Sequence, residues 1–240
     1  MTIDAKGMDF RTLNERLRSA GPGKATIVHC LGQRYIASGM RDVSLTIEGT
    51  PGNALGCLLG GGSIEVLGNA QDAVGDTMSG GTLVIHGSCG DALGYSMRGG
   101  RILVQGDVGC RVGIHMKQYD AQEPCIVIGG RAGRFLGEYQ AGGTILVLGI
   151  GHEREAPVGA FCGTGMHGGK IFIRSEHRPP LLPKQVKLRP AQKEELQDIE
   201  RLVHGFCHHF GAAEALLSGS HFWCLSPDDE NPYHRMYTPN

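Results

Sequence analysis

Six copies of a glycine-punctuated unit run end to end from Gly49 to Arg174, and this repeat limits the chain to folds made by stacking like units. The copies lead with Gly49, Gly68, Gly87, Gly106, Gly130 and Gly149, and the first three intervals are 19 residues each. Seven residues into the first five copies stands a second glycine: Gly56, Gly75, Gly94, Gly113 and Gly137. Most copies then carry a Gly-Gly pair, such as Gly80-Gly81 or Gly142-Gly143. A short aliphatic run such as Thr82-Leu83-Val84-Ile85 follows it. The fourth copy is five residues longer, around 117–124, and the sixth is seven longer, around 150–157.

Each aliphatic run predicts one short strand. A lone strand can neither satisfy its backbone nor bury a face. Stacking the copies solves both problems, with each strand about 4.8 Å from its equivalent and a rod of roughly 25–30 Å for five or six copies. The ten leading and second glycines, Gly49, Gly56, Gly68, Gly75, Gly87, Gly94, Gly106, Gly113, Gly130 and Gly137, are expected at the corners, where sharp turns need positive φ or close backbone approach. The 39 glycines in 240 residues therefore follow from geometry. They keep fixed offsets, unlike low-complexity sequence, and do not recur every third residue, unlike collagen.

The repeat divides the chain into three parts: an N-terminal cap over 1–42, the glycine-rich repeats over 43–175, and a linker, helices and tail over 176–240. In the first part Asp9 precedes a helical pattern with Phe10, Leu13 and Leu17 on one face, stopped by Gly21-Pro22-Gly23. In the last, Pro190 precedes Leu196, Ile199, Val203, Phe206 and Phe210 at helical steps, ending at Gly211. A second short helix is expected over 212–217, and an extended tail over 227–240.

A net charge of −1 gives no electrostatic case for nucleic acid or anionic membranes. No apolar run approaches the roughly 20 residues that span a bilayer, and the start lacks a signal-peptide core. The expectation is a cytoplasmic protein. Eight cysteines, at 30, 57, 89, 110, 125, 162, 207 and 224, include no C-x-x-C pair, so buried free thiols are expected.

Candidate chemistry is sparse. The Gly-Gly pairs lead into strands rather than opening a helix, and no G-x-x-x-x-G-K-[ST] occurs, so a turn role displaces phosphate binding. His204, Cys207, His208 and His209 cluster on the C-terminal helix, with His204 and His208 one turn apart. The segment lacks H-E-x-x-H and runs beside Phe206 and Phe210, which favours a structural role over a metal site. His152, Glu153, Arg154 and Glu155 lie on the longest insertion and read as a solvated loop or a partner contact. Met1-Thr2 presents no terminal nucleophile without processing, and no G-x-S-x-G is present. No catalytic, cofactor-binding or metal-binding residue is expected.

The run GDTMSGGTLVIHGSCGDALGYSMRGGRILVQGDVGCRVGIHM, residues 75–116, resembles the GXGXG domain, with similarity over roughly 43–175. That domain forms the third region of the large glutamate synthase subunit. It also occurs as a separate polypeptide in split glutamate synthases, in N-methylglutamate synthase-like systems and as one component of formylmethanofuran dehydrogenase. The resemblance implies a mainly β fold, a single-stranded right-handed β-helix (a solenoid of 19-residue coils) with short helical caps at both termini. It implies a non-catalytic subunit of a glutamate synthase-like oxidoreductase complex in glutamate biosynthesis and nitrogen metabolism. Its partners would be a class II glutamine amidotransferase subunit and an FMN/ferredoxin-type synthase subunit. FMN and iron–sulfur clusters would sit on those partners, with no cofactor on this chain, and a homo-oligomer is also open. The alternative is the corresponding GXGXG component of a molybdenum or tungsten formylmethanofuran dehydrogenase complex. An autonomous acyltransferase on hexapeptide repeats is disfavoured by the 19-residue period, and an adhesive or ice-binding rod by the lack of threonine ladders.

Overall fold

A computed structural model describes residues 1–211, 216–217 and 219–228. Most of the helix expected over 212–217 and most of the expected tail fall on residues outside these. The elements are β1 (Thr2–Asp4), α1 (Phe10–Ser19), β2 (Gly23–Leu31), β3 (Val43–Thr50), β4 (Gly60–Val66) and β5 (Gly80–Ile85). There follow β6 (Arg101–Val104), β7 (Cys125–Ile128), β8 (Ala141–Val147), β9 (Gly168–Arg174), β10 (Val186–Pro190), α2 (Lys193–Phe210) and β11 (Phe222–Pro227). The strands form one sheet in the order β1-β2-β3-β4-β5-β6-β7-β8-β9-β11-β10. The pairs from β1 to β9 are parallel; β11 runs antiparallel to both β9 and β10.

Strand register follows the repeat. Leu45, Ile64, Leu83, Ile102, Ile126, Ile145 and Ile171 are successive partners, as are Ile47, Val66, Ile85, Val104, Ile128, Val147 and Ile173. Alternate residues of a strand share a face, so these two rows form one wall of the main core. Side chains of the intervening turns fill the rest: Leu55, Leu59, Val74, Met78, Leu93, Met97, Val112, Met116, Leu136 and Met166 are all buried. α1 adds Leu13 and Leu17 to that core and is capped by Asp9, which accepts from the Arg11 and Thr12 amides.

The opposite face of the sheet changes character along its length. Thr46 and Glu65 give way in register to Val84, Leu103, Val127, Leu146, Phe172 and Cys224. The apolar stretch is where α2 lies, with Ile199, Val203 and Phe206 fully buried against it. Full burial of such side chains contributes roughly 1.5–3 kcal/mol each. A strand covered on both faces reads as a continuous apolar run, as Cys125-Ile126-Val127-Ile128 does.

These findings correct the expected fold class. Among the described residues the chain is a mixed, mostly parallel eleven-stranded sheet with two helices, and not a single-stranded right-handed β-helix with helical end caps. The apolar runs do pair strand on strand, but each repeat contributes one strand to one sheet. The remainder of each repeat is tight turn, with only isolated bridges such as Cys89 to Val108 and Ala132 to Val158. The helical segment at the C-terminal side covers the sheet's face, and the β9 edge is continued instead by the antiparallel β11 and β10.

The turns explain why further strands do not form. Left-handed residues alternate in them: Ala73, Gly75 and Thr77; Ala92, Gly94 and Ser96; Arg111, Gly113 and His115; Phe135, Gly137 and Tyr139. Such alternation is incompatible with an extended ladder. Amides at these positions bond neighbouring repeats in both directions. The Ala92 amide donates to the Cys110 carbonyl at 2.8 Å, and the Gly94 amide to the Val74 carbonyl at 2.8 Å. At Gly94, φ is +68° and an added Cβ would lie 2.5 Å from Ile126 Cδ1. The outer positions tolerate side chains because theirs leave the core.

α2 is fastened by one buried carboxylate. Glu195 accepts both Arg189 guanidinium nitrogens at 2.7 and 2.8 Å, the Gln192 amide at 2.9 Å and Lys170 Nζ at 2.8 Å. The Arg189 hydrogen bonds hold its carboxyl far below the ordinary value of 4.5, against the opposing effect of burial.

Both the turn glycines and the helix anchor can be tested by substitution. Gly94→Ala should lower stability by roughly 2–4 kcal/mol, from left-handed strain plus the clash with Ile126. Ser96→Gly, at an outward left-handed position, should stay within about 1 kcal/mol; urea unfolding of both variants checks the contrast. Because the folded pKa of Glu195 is depressed, its contribution is present above about pH 4.5 and is lost as pH falls toward the folded pKa. Glu195→Gln should cost about 2 kcal/mol at pH 7, the partial exposure of Arg189 and Lys170 tempering a buried-pair loss. The gap from wild type should shrink in melts taken below pH 4.5.

Candidate functional site

The corner glycines fall into two geometries. Gly56, Gly75, Gly94, Gly113 and Gly137 have φ between 65° and 70° and face the aliphatic wall of the sheet. Gly49 also has positive φ, and its Cβ would meet the Cys30 carbonyl oxygen at 2.2 Å. Gly68, Gly87, Gly106 and Gly130 lack positive φ and lie against the preceding repeat instead. A Cβ at Gly87 would sit 2.2 Å from Asn69 Oδ1, and one at Gly130 would sit 2.1 Å from Asp107 Oδ1.

Those oxygens belong to a side-chain ladder that sequence reasoning missed. Asn69 Oδ1 accepts the Ser88 amide at 2.8 Å, Ser88 Oγ accepts the Asp107 amide at 3.1 Å, and Asp107 Oδ1 accepts the Arg131 amide at 2.9 Å. A second row runs from Asp72 to the Asp91 amide and from Asp91 to the Cys110 amide. The signal was present: Asn, Asp or Ser immediately follows Gly68, Gly87 and Gly106.

On the turn side, the outward left-handed residues His115, Phe135, Tyr139 and Phe161, joined by Tyr95, build a surface ridge. His115 stacks on Tyr139 with ring centroids 5.2 Å apart, Tyr95 meets His115 edge-on at 6.0 Å, and Phe135 stacks on Phe161 at 5.2 Å. Arg111 lies over Phe135 and bonds Glu138 at 3.0 Å. Tyr95, Tyr139 and Phe161 are each about 40% exposed, at 39%, 44% and 39%. The ridge is aromatic and flanked by the Arg111–Glu138 pair, a composition typical of protein-contact surfaces.

The insertion loop is tied to the ladder by one side chain and braced internally by another. His152 Nε2 lies 3.0 Å from Asp107 Oδ1, and Glu153 Oε1 accepts the Gly151 amide at 3.1 Å. Backbone hydrogen bonds, helped by Arg174, pull the Glu153 carboxyl below its ordinary value. Beside the loop is a small pocket of about 70 Å³ lined by Gly149, His152, Glu153, Arg174, Ser175, Glu176, Ser220 and His221. Arg174 donates to Ser220 Oγ and the Leu148 carbonyl, and Ser175 Oγ accepts the His177 amide, so both serines are engaged in structure. His221 Nε2 is buried there without a hydrogen-bond partner among the described residues.

The residues of the C-terminal cluster point different ways. His204 lies 3.7 Å from Glu200 on the outer side of α2, and Cys207 packs half-buried against the sheet face. His209 is turned toward the sheet, and burial, reinforced by His208, lowers its pKa. Among the described residues no group of three His, Cys, Asp or Glu is arranged to hold a metal ion. All eight cysteines are free thiols. Burial pushes Cys89, Cys125 and Cys162 up to about 12 and Cys30 and Cys224 to about 11, so these five are held as neutral thiols rather than nucleophilic thiolates. No described helix is long and apolar enough to cross a membrane.

Known proteins are similar to this chain in sequence or in fold. The uncharacterized protein MJ1350 of Methanocaldococcus jannaschii is 44% identical over 253 residues, with 100% of this chain and 97% of that protein covered. Among solved structures, a chain of the formyltransferase/hydrolase complex (FhcABCD) from Methylorubrum extorquens, in complex with methylofuran, aligns with a TM-score of 0.63 and 25% identity. The alignment covers 83% of this chain and 72% of that one. The profile of the GXGXG motif family matches residues 12–222, nearly the whole of the described chain. The chain belongs to the GXGXG motif family.

Proposed function

We propose that the chain is a non-catalytic structural subunit of a glutamate synthase-like complex, holding a glutamine amidotransferase subunit and an FMN/iron–sulfur synthase subunit in register for ammonia transfer. The observation that carries this reading is the exposed aromatic ridge of Tyr95, His115, Tyr139 and Phe161, fixed to a rigid interior through backbone bonds in every repeat. A surface so stiff loses little conformational freedom when a partner docks, which is where much of the cost of association lies. Holding two centres at a fixed spacing raises the effective concentration of an intermediate passing between them. In this reading FMN and iron–sulfur clusters belong to the partners, this chain binds no cofactor, and the assembly works in the cytoplasm.

A second reading is the GXGXG component of a formylmethanofuran dehydrogenase, beside molybdenum- or tungsten-bearing partners. The likeness to a chain of a formyltransferase/hydrolase complex favours it. Both readings place the chain in an assembly of several different polypeptides, and they differ in what co-purifies.

Affinity purification of the tagged full-length chain from its native host, followed by mass spectrometry, separates them. Amidotransferase and FMN-dependent synthase subunits in stable stoichiometry support the first reading, and a molybdopterin subunit supports the second. A chain that elutes alone contradicts both. Triple substitution Tyr95→Ser, Tyr139→Ser and Phe161→Ser should weaken partner binding by roughly tenfold or more, since exposed aromatic anchors carry about 1–2 kcal/mol or more each at interfaces. Melting temperature should stay nearly unchanged, because none of the three side chains is in the core.

A further inference from the structure

The two segments that depart from the repeat, the 150–157 insertion and the linker after β9, meet over the ladder to form a second cleft. It measures about 270 Å³ and is lined by Arg131, Arg154, Glu155, Ala156, Val158, His177, Arg178 and Pro180. Among the described residues, three guanidinium groups and an imidazole thus share one cleft with a single carboxylate. The loop carboxylates Glu153 and Glu176 line the neighbouring pocket instead. In a chain of net charge −1, this concentration of positive charge is local and is not the overspill of a basic protein.

Two of the three arginines are held in place by their surroundings. The Arg131 backbone is pinned by the bond from its amide to Asp107 Oδ1. Arg178 lies over the Trp223 ring, 5.6 Å from its centroid, so a strand of the sheet supports its guanidinium. The single acid is loosely used: Arg131 Nη1 and Glu155 Oε1 are 3.7 Å apart, beyond good hydrogen-bond length. Arg154 makes no ion pair among the described residues. Ala156, Val158 and Pro180 give the cleft an apolar part.

We propose that this cleft binds a small oxyanion carrying two or more negative charges, of the phosphate or diphosphate type. Guanidinium groups match phosphate oxygens with paired N–H donors, and three of them around one cavity suit an anion with several terminal oxygens. The cleft's size fits a compact ligand better than an extended acidic chain segment. In the free protein Glu155 partly occupies the place of the anion, and an entering ligand displaces it from Arg131.

Isothermal titration of the full-length chain with sodium pyrophosphate, against sodium chloride of matched ionic strength, tests the proposal. The expected result is saturable one-to-one binding. It should weaken at least tenfold in Arg154→Gln/Arg178→Gln and tighten about threefold in Glu155→Gln. Arg154→Glu alone, on the exposed loop, should also weaken binding tenfold, which guards against a folding defect from losing the Arg178–Trp223 contact. Orthophosphate and adenosine diphosphate arms distinguish free phosphate from a nucleotide source; binding of either with the same sensitivity to Arg154 supports the proposal. Absence of saturable binding by all three probes overturns it. So do binding unchanged in the arginine variants, and binding of a hexaglutamate peptide without binding of pyrophosphate.

Discussion

The structure depends on close backbone approach between successive repeats. Every strand from β2 to β8 is bonded on both sides to a strand of the same kind, and every intervening turn is bonded in the same way through its amides. The repeat unit closes on its own start in nineteen residues at its shortest. It holds one strand and a turn in which left-handed and right-handed residues alternate. The middle left-handed residue faces the core and lacks room for a Cβ, so that position is glycine in six successive repeats, from Gly56 to Gly163. The rule is one of volume as much as of dihedral angle, because alanine, serine, arginine and phenylalanine occupy left-handed positions two residues away.

That division separates structural from variable surface. Inward residues are locked: two aliphatic rows from the strands meet leucine, valine and methionine from the turns. Outward left-handed residues are largely free of the core, and their side chains run from Leu58 at one end to Phe135, Tyr139 and Phe161 at the other. The aromatic ridge thus occupies the positions where the fold imposes least chemistry. The same holds for the insertion loop and linker, which extend the turns while the strands beneath keep their pairing.

Much of the fold was legible in the sequence. The aliphatic runs are the strands, their mutual register follows from the fixed period, and the helical spacings over Phe10–Leu17 and Leu196–Phe210 fall on α1 and α2. What was not legible was the architecture between them. Glycine spacing marks bends but says nothing of whether intervening residues extend into further strands; the left-handed Ala92, Ser96 and Arg111 show that they do not. The position of α2 was written in the sheet rather than in the helix: the face partner of Glu65 becomes Val84, then Leu103 and Val127, where a helix must cover it. The pocket and cleft around residues 150–157 and 174–180 were out of reach, because they join segments whose meeting depends on the antiparallel return of β11. The histidines of α2 are close in sequence, but neighbours on a helix point around its whole circumference.

The most direct test is native-state hydrogen exchange read at single amides. If interrepeat bonding in the turns is as structural as that in the strands, the Gly75, Gly94, Gly113 and Gly137 amides should exchange as slowly as those of Leu83, Ile102, Ile126 and Ile145, within about tenfold. Rapid exchange of the four glycine amides, at rates typical of surface loops while the strand amides stay protected, would contradict the account.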